Sequence, residues 1–211
     1  MTMETRIIYE STLAEAAEII KRGGVTAVPT ETVYGLAANG LSAAAIERIY
    51  EAKGRPEAKP ISLFIADLKN AEGIVRDVPD GAFALADAFW PGPITMILKK
   101  GNMVPDILTA GGENVGVRCP DNALTLALMK KCGVPLTGTS ANISGKPDAN
   151  DISEVMEYFS GKIAAAVDGG RCGGGVPSTV LDMTGKTPRI LRRGGVTKEQ
   201  IEELLKMKVE A

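Results

Sequence analysis

Apolar positions along the chain change period several times. Leu13, Ala16, Ala17 and Ile20 recur at helical spacing and stop before Gly23. Thr12 with Glu15 reads as a capping box at the head of that helix. Ala45, Ile46, Ile49 and Tyr50 share one face of a second helix capped by Ser42. Further helices are predicted over 67–75 with Asp67 as cap, over 79–90 before the Pro-Gly-Pro at 91–93, and over 121–131 with Asp121 as cap. Two more cover 152–159 and the charged segment that Thr197 opens, with Ile201, Leu204 and Leu205 on its apolar side. Short apolar runs at 5–9, 25–28, 61–65, 94–98, 115–118, 135–139, 164–167, 180–183 and 189–192 read as strands. The stretch 101–114 reads as irregular. Alternating helices and strands, with paired strands near the end, predict an α/β class with a mixed sheet flanked by helices. No low-complexity linker or repeat interrupts the 211 residues, so one domain over 1–211 is the expectation.

Composition narrows the chemistry. Apolar residues make up 45%, enough for a substantial core. Four Phe, four Tyr and one Trp leave little for stacking on single-stranded nucleic acid. A net charge of −2 argues against a generally basic nucleic-acid binder, though not against a local basic face. Histidine is absent, which excludes imidazole acid–base catalysis and histidine metal sites. Cys119, Cys132 and Cys172 are widely spaced and form no CxxC, so neither a zinc site nor a disulfide framework is indicated. The amino-terminal residues lack a signal-peptide pattern and no apolar run approaches a membrane span. A soluble, cytoplasmic protein with no membrane partner is the expectation.

The polar clusters share one property: each follows a predicted strand. Thr30, Glu31 and Thr32 follow 25–28, where α/β sheets place ligands. Others are Arg118; Thr137, Thr139, Ser140 and Asn142; Ser178 and Thr179; and Arg192 with Arg193. If the strands share a sheet and a direction at those ends, these groups converge. Lys53 and Arg55, at a helix end closed by Pro56, add a point charge and a planar fork suited to a polyphosphate. Each piece has a plainer reading. Lys and Arg favour a helix C-terminus by themselves. Thr, Ser and Asn after a strand are commonly turn residues. The stretch Gly169 to Gly175 matches neither a P-loop nor GxGxxG; a mobile loop is the preferred reading over a backbone cradle.

The combination is more specific than its parts. PTETVYGL at 29–36, KGRP at 53–56, GVRCP at 116–120, TSANISGKP at 139–147, PSTVLD at 177–182 and ILRRG at 190–194 occur in that order. The chain thereby resembles the YrdC-like threonylcarbamoyl-AMP synthases over nearly its whole length. The resemblance implies a twisted open sheet with a large concave ligand face. It implies synthesis of threonylcarbamoyl-AMP and pyrophosphate from L-threonine, bicarbonate and ATP, with Mg²⁺ carried mainly by the ATP phosphates and no dedicated metal site. By the same resemblance Lys53, Arg55, Ser140 and Asn142 are the KxR and SxN residues that bind ATP, Lys53 and Arg55 with a catalytic role, and Arg192 is a nucleotide-binding arginine. Thr30, Thr32, Arg118, Thr139 and Ser178 match segments that hold threonine. The product would pass to the machinery that makes N6-threonylcarbamoyladenosine in tRNA; tRNA or double-stranded RNA would be a further partner. Many members carry a histidine near the threonine carboxylate where Phe64 stands, an asparagine where Lys59 stands and a proline where Arg193 stands. The alternative reading is an RNA-binding module of the same fold without synthase activity.

Overall fold

The computed structural model describes residues 4–54, 59–173 and 176–211. Three fully buried strands show why this part of the sheet is so small-chained. β2 (Thr26–Val28), β3 (Gly35–Ala37) and β9 (Ala165–Val167) are buried at every residue. Successive side chains alternate between two cores, as the two-residue period of a strand requires. Val28, Ala37, Ala165 and Val167 enter the smaller core, while Ala27, Leu36 and Ala166 enter the larger. A sheet covered on both faces leaves no polar side to alternate, so such strands read as short apolar runs.

The smaller core is closed by α1 (Leu13–Lys21) and α4 (Ala123–Cys132), which pack on one another. The larger core is covered by α2 (Ala43–Lys53), α3 (Asp80–Phe89), α5 (Ile152–Phe159) and α6 (Lys198–Leu205). The remaining strands are β1 (Arg6–Ile8), β4 (Ser62–Phe64), β5 (Val75–Arg76), β6 (Ile94–Lys100), β7 (Asn114–Arg118), β8 (Leu136–Ser140), β10 (Thr179–Asp182) and β11 (Arg189–Arg192). Among the described residues they form one mixed sheet in the order β1-β9-β2-β3-β8-β4-β7-β6-β10-β11, with β5 added on β6.

Strand directions follow from the pairings. β2, β3, β8 and β4 are successively antiparallel; β7 runs parallel to β4, β6 antiparallel to β7, β10 parallel to β6, and β11 antiparallel to β10. So β2, β8, β6 and β10 point one way and β3, β4, β7 and β11 the other. Each step between neighbours adds roughly 20–25° of twist, about 200° from one edge to the other. A sheet coiled that far is concave, and its opposite ends can face one cleft.

Several local expectations change. The segment predicted as a helix over 67–75 is a series of turns. The Asp67 carboxylate accepts hydrogen bonds from the Lys69 N–H at 2.9 Å and from Asn70 Nδ2 at 2.7 Å, an Asx-type turn that replaces a helical start. Gly73, at φ +78°, then reverses the chain into β5. The Thr12–Glu15 box does not form: the Thr12 hydroxyl turns back to Tyr9, and Glu15 pairs with Arg6. The cap of α4 is Asn122, whose Oδ1 accepts from Leu124 and Thr125; the Asp121 N–H donates to Glu31 instead. β3 was not foreseen, because Tyr-Gly-Leu-Ala lacks the β-branched residues that mark a strand.

Glycine at 138 is demanded by packing. A Cβ there would lie 2.5 Å from the edge of the Phe64 ring, and Phe64 is itself only 4% exposed. Gly138→Ala is expected to cost about 1–3 kcal/mol through overpacking, read as a lower urea midpoint, with part of the loss recovered in Gly138→Ala/Phe64→Leu. An unchanged midpoint in the single variant would show that the ring gives way freely.

Candidate active site

A cleft of about 260 Å³ opens where the coiled sheet brings both sets of strand ends together. From one side come Thr30 and Thr32 after β2, and Thr139 and Ser140 at the end of β8. From the other come Arg118 at the end of β7, Ser178 just before β10, and Arg192 at the end of β11. The convergence read from the sequence is present, but not for the reason given there. The strands do not share a direction, and Ser178 precedes its strand. Twist, not parallel alignment, brings the groups together.

Arg118 closes that junction. Its Nε donates to the Gly92 carbonyl at 3.2 Å, and its Nη2 donates to Glu31 Oε1 at 2.5 Å and to Thr32 Oγ1 at 3.4 Å. The other Glu31 oxygen accepts the Asp121 N–H at 3.1 Å. The side chains of Arg118 and Glu31 are 8% and 20% exposed, so water screens this ion pair little. The neighbouring Cys119 thiol is pushed up to about 11, by burial first and then by the Glu31 charge, so it is a packing residue at neutral pH.

Thr30 serves the loop as much as the cleft. Its hydroxyl donates to the Val33 carbonyl at 2.6 Å, accepts the N–H groups of Thr32 and Val33 at 3.2 Å, and lies 2.9 Å from the Thr32 hydroxyl. Tyr34 ties this loop to the glycine-rich segment. Its hydroxyl donates to the Gly170 carbonyl at 2.9 Å and accepts the Gly169 N–H at 3.1 Å, and burial pushes it up to about 12. Glycine at 169 admits close packing, since a Cβ would meet Pro29 at 2.6 Å.

Ser178 and Arg192 form a second unit. The guanidinium donates to the Ser178 carbonyl through Nε at 3.1 Å and through Nη2 at 2.9 Å, and to the Ser178 hydroxyl at 2.9 Å. That hydroxyl shares a further 2.9 Å bond with Thr95. Gly194 makes the arrangement possible, because a Cβ there would strike the backbone of residues 177–179 at 2.3 Å. Desolvation, then the like charge of Arg118, hold Arg192 below its ordinary value, while Asp148 acts in the opposite sense.

Lys53 is not a solvated helix-end residue. It is 1% exposed, and its ammonium donates to the Ser140 carbonyl, to the Asn142 carbonyl at 2.8 Å and to Asn142 Oδ1 at 3.2 Å. The Ser140 hydroxyl donates to Asn142 Oδ1 at 2.7 Å, and the Ser144 N–H returns to the Lys53 carbonyl at 3.0 Å. The KxR lysine therefore stands beneath the SxN loop and holds its shape. Asn142 lies with it, while Ser140 lines the cleft. Arg55 lies outside the described residues.

Other candidates are structural. Thr137 donates to the Leu36 carbonyl and accepts the Ala38 N–H; Thr179 does the same with Val196. Arg193 borders a separate pocket beside Thr197 and Lys198. The sequence reading missed Thr95, Tyr34 and Asp148, all of which line the cleft. Only Tyr34 carried a signal, its place inside the 29–36 motif.

A family model for Sua5, YciO and YrdC proteins, described as telomere recombination, matches residues 18–194. A threonylcarbamoyl-AMP synthase of Pyrococcus abyssi is 43% identical over 198 residues, covering 94% of this chain and 58% of the relative. One of Bacillus subtilis is 45% identical over 194 residues, covering 92% and 56%. This chain thus spans a little over half the length of those relatives. The crystal structure of P. abyssi Sua5 complexed with L-threonine superposes with a TM-score of 0.93 at 41% identity, over 98% of this chain and 63% of that one.

Two outcomes follow from the geometry. Lys53→Met keeps the bulk but strands the Ser140 and Asn142 carbonyls, so it is expected to lower stability by about 1–3 kcal/mol and to speed amide exchange in residues 140–145; wild-type exchange rates there would refute the loop-holding role. Glu31→Gln removes the charge opposite Arg118 while keeping a hydrogen-bonding shape. Its expected signature is a thermal midpoint lowered at every salt concentration, since salt screens a buried pair little; an unchanged midpoint would show that the pair carries little energy.

Proposed function

The chain belongs to the Sua5/YciO/YrdC family, and on that premise we propose that it is an L-threonylcarbamoyladenylate synthase, a nucleotidyltransferase acting on L-threonine, bicarbonate and ATP. The observation that carries this reading is the meeting of Arg118, Thr30, Thr32 and Ser178 with the Ser140 loop in one cleft. Arg118 Nη1 has no hydrogen-bond partner among the described residues, and a threonine carboxylate would take it. Thr139 and the Thr32 hydroxyl line the same space. The nucleotide would lie along the Ser140–Asn142 loop and Arg192, with Arg55 reaching the phosphates. Lys53 would act there through the loop it holds.

The chemistry needs no side-chain nucleophile, and the chain contains no histidine to act as base. The threonine amine and bicarbonate condense to a carbamate with loss of water. A carbamate oxygen attacks the α-phosphorus of ATP, the bond to the bridging oxygen breaks, and pyrophosphate leaves. Positioning and charge stabilisation are then the protein's contribution. Among the described residues no three metal-ligating side chains cluster, and Asp148 is the one carboxylate lining the cleft. These residues do not build a magnesium cage, so Mg²⁺ would travel on the ATP phosphates and no step here depends on it.

We read residues 1–211 as one YrdC-like domain. The product would serve the cytoplasmic machinery that modifies tRNA, with tRNA itself a further partner. No helix among the described residues is long and apolar enough to cross a membrane. The test is pyrophosphate release from ATP, expected only when L-threonine and bicarbonate are both present, with threonylcarbamoyl-AMP identified by mass spectrometry. Arg118→Lys keeps the charge and loses the fork, so kcat/KM for threonine should fall at least about tenfold while the KM for ATP holds. Release independent of threonine would overturn the reading.

A further inference from the structure

α4 buries Thr125, Leu128, Met129 and Cys132, a stripe at helical spacing. The last three fill the smaller core. The first is a threonine, 1% exposed, where an apolar side chain would pack without further demands. A buried hydroxyl needs a hydrogen-bond partner. A helical threonine commonly finds one in its own backbone, at a carbonyl three or four residues back. Thr125 does otherwise. Its hydroxyl donates to the Pro29 carbonyl at 2.6 Å, across 96 positions of sequence. Among the described residues no other group donates to that carbonyl.

Pro29 immediately precedes Thr30, which lines the cleft with Thr32. The loop is thus docked at two places on the segment running from β7 into α4. Arg118 and the Asp121 N–H hold Glu31 and Thr32; Thr125 holds Pro29. Within the loop the Thr30 hydroxyl is bonded to Val33 and to Thr32, so a shift at Pro29 carries to both threonines. α4 is a firm base, with its buried face in the smaller core and its first turn capped by Asn122. Building on the synthase reading, we propose that Thr125 is a positioning residue for the amino-acid subsite. It touches no ligand; its hydroxyl sets where Thr30 and Thr32 stand. The groups given to the nucleotide rest on other supports, the Ser140–Asn142 loop on Lys53 and Arg192 on Ser178. The anchor therefore serves threonine and not ATP. Small errors of placement far from a ligand are enough to weaken its site.

The experiment is calorimetry with L-threonine and with ATP, each alone, on wild type, Thr125→Val and Thr125→Ser, with a urea midpoint for each protein. Valine keeps the shape and loses the donor; serine keeps the donor. Thr125→Val should weaken threonine about fivefold, the effect of one lost hydrogen bond, and change ATP affinity by less than about twofold. Thr125→Ser should bind threonine as wild type does. Unchanged threonine affinity in Thr125→Val, whatever its midpoint, makes Thr125 a packing residue and overturns the proposal. So does equal weakening of both ligands, which marks a general distortion of the cleft. So does equal weakening of threonine in the valine and serine variants, which assigns the effect to packing rather than to the hydroxyl. In all three cases the synthase reading stands. Failure of wild type to bind threonine overturns the synthase reading and this proposal together.

Discussion

The site depends on one contact across the coiled sheet. Arg118 ends a strand that runs opposite to β2, yet its guanidinium reaches Glu31 and Thr32 in the loop that β2 feeds. Without twist these residues would lie at opposite ends of the sheet. With it, an ion pair of low exposure holds the two ends against each other, and Arg118 lines the cleft with Nη1 unpartnered among the described residues. The cost of burying these charges is offset because both Glu31 oxygens and two of the three Arg118 nitrogens find partners. A charge pair so placed fixes geometry more than it adds net stability.

A second cross-link sets the opposite wall. Lys53 terminates α2, and its ammonium rises into the turn that follows β8. The Ser140 and Asn142 carbonyls accept from the cation, which fixes the shape of the turn. Short polar motifs far apart in sequence thus act as one unit: KxR supplies the post and SxN the loop that rests on it. The same economy appears in Ser178 and Arg192, joined by three hydrogen bonds and by a glycine that lets the two segments touch.

Much of this was legible in the chain. The α/β class, the mixed sheet and the long amphipathic helices follow from apolar periodicity, since burial of one face sets that pattern. Cleft-lining residues such as Thr30, Thr32, Ser140 and Ser178 were legible because they sit in turn-rich motifs beside strands. What escaped depends on long-range geometry. Pairing order fixes strand direction, and no local pattern reports it, so the cause of the convergence was misjudged. Lys53 read as a phosphate-binding or a helix-end cation, and its hold on the next loop was hidden because its acceptors are backbone carbonyls 87 and 89 positions away. Phe64 occupies a ligand-side position by resemblance, and it does border the cleft, yet its ring is also locked over Gly138 in the smaller core. Asp148 carried no sequence signal, since a lone aspartate after Lys-Pro is an ordinary loop residue.

The central claim is that the twist-built cleft with Arg118 at its base is where the amino acid sits. The most direct measurement is a crystal structure of this protein with L-threonine and a non-hydrolysable ATP analogue. The account predicts the threonine carboxylate within hydrogen-bond distance of Arg118 Nη1, with the Glu31 and Thr32 contacts intact and the phosphates against the Ser140–Asn142 loop. Threonine bound elsewhere, or Arg118 turned away from it toward Glu31 alone, would contradict it.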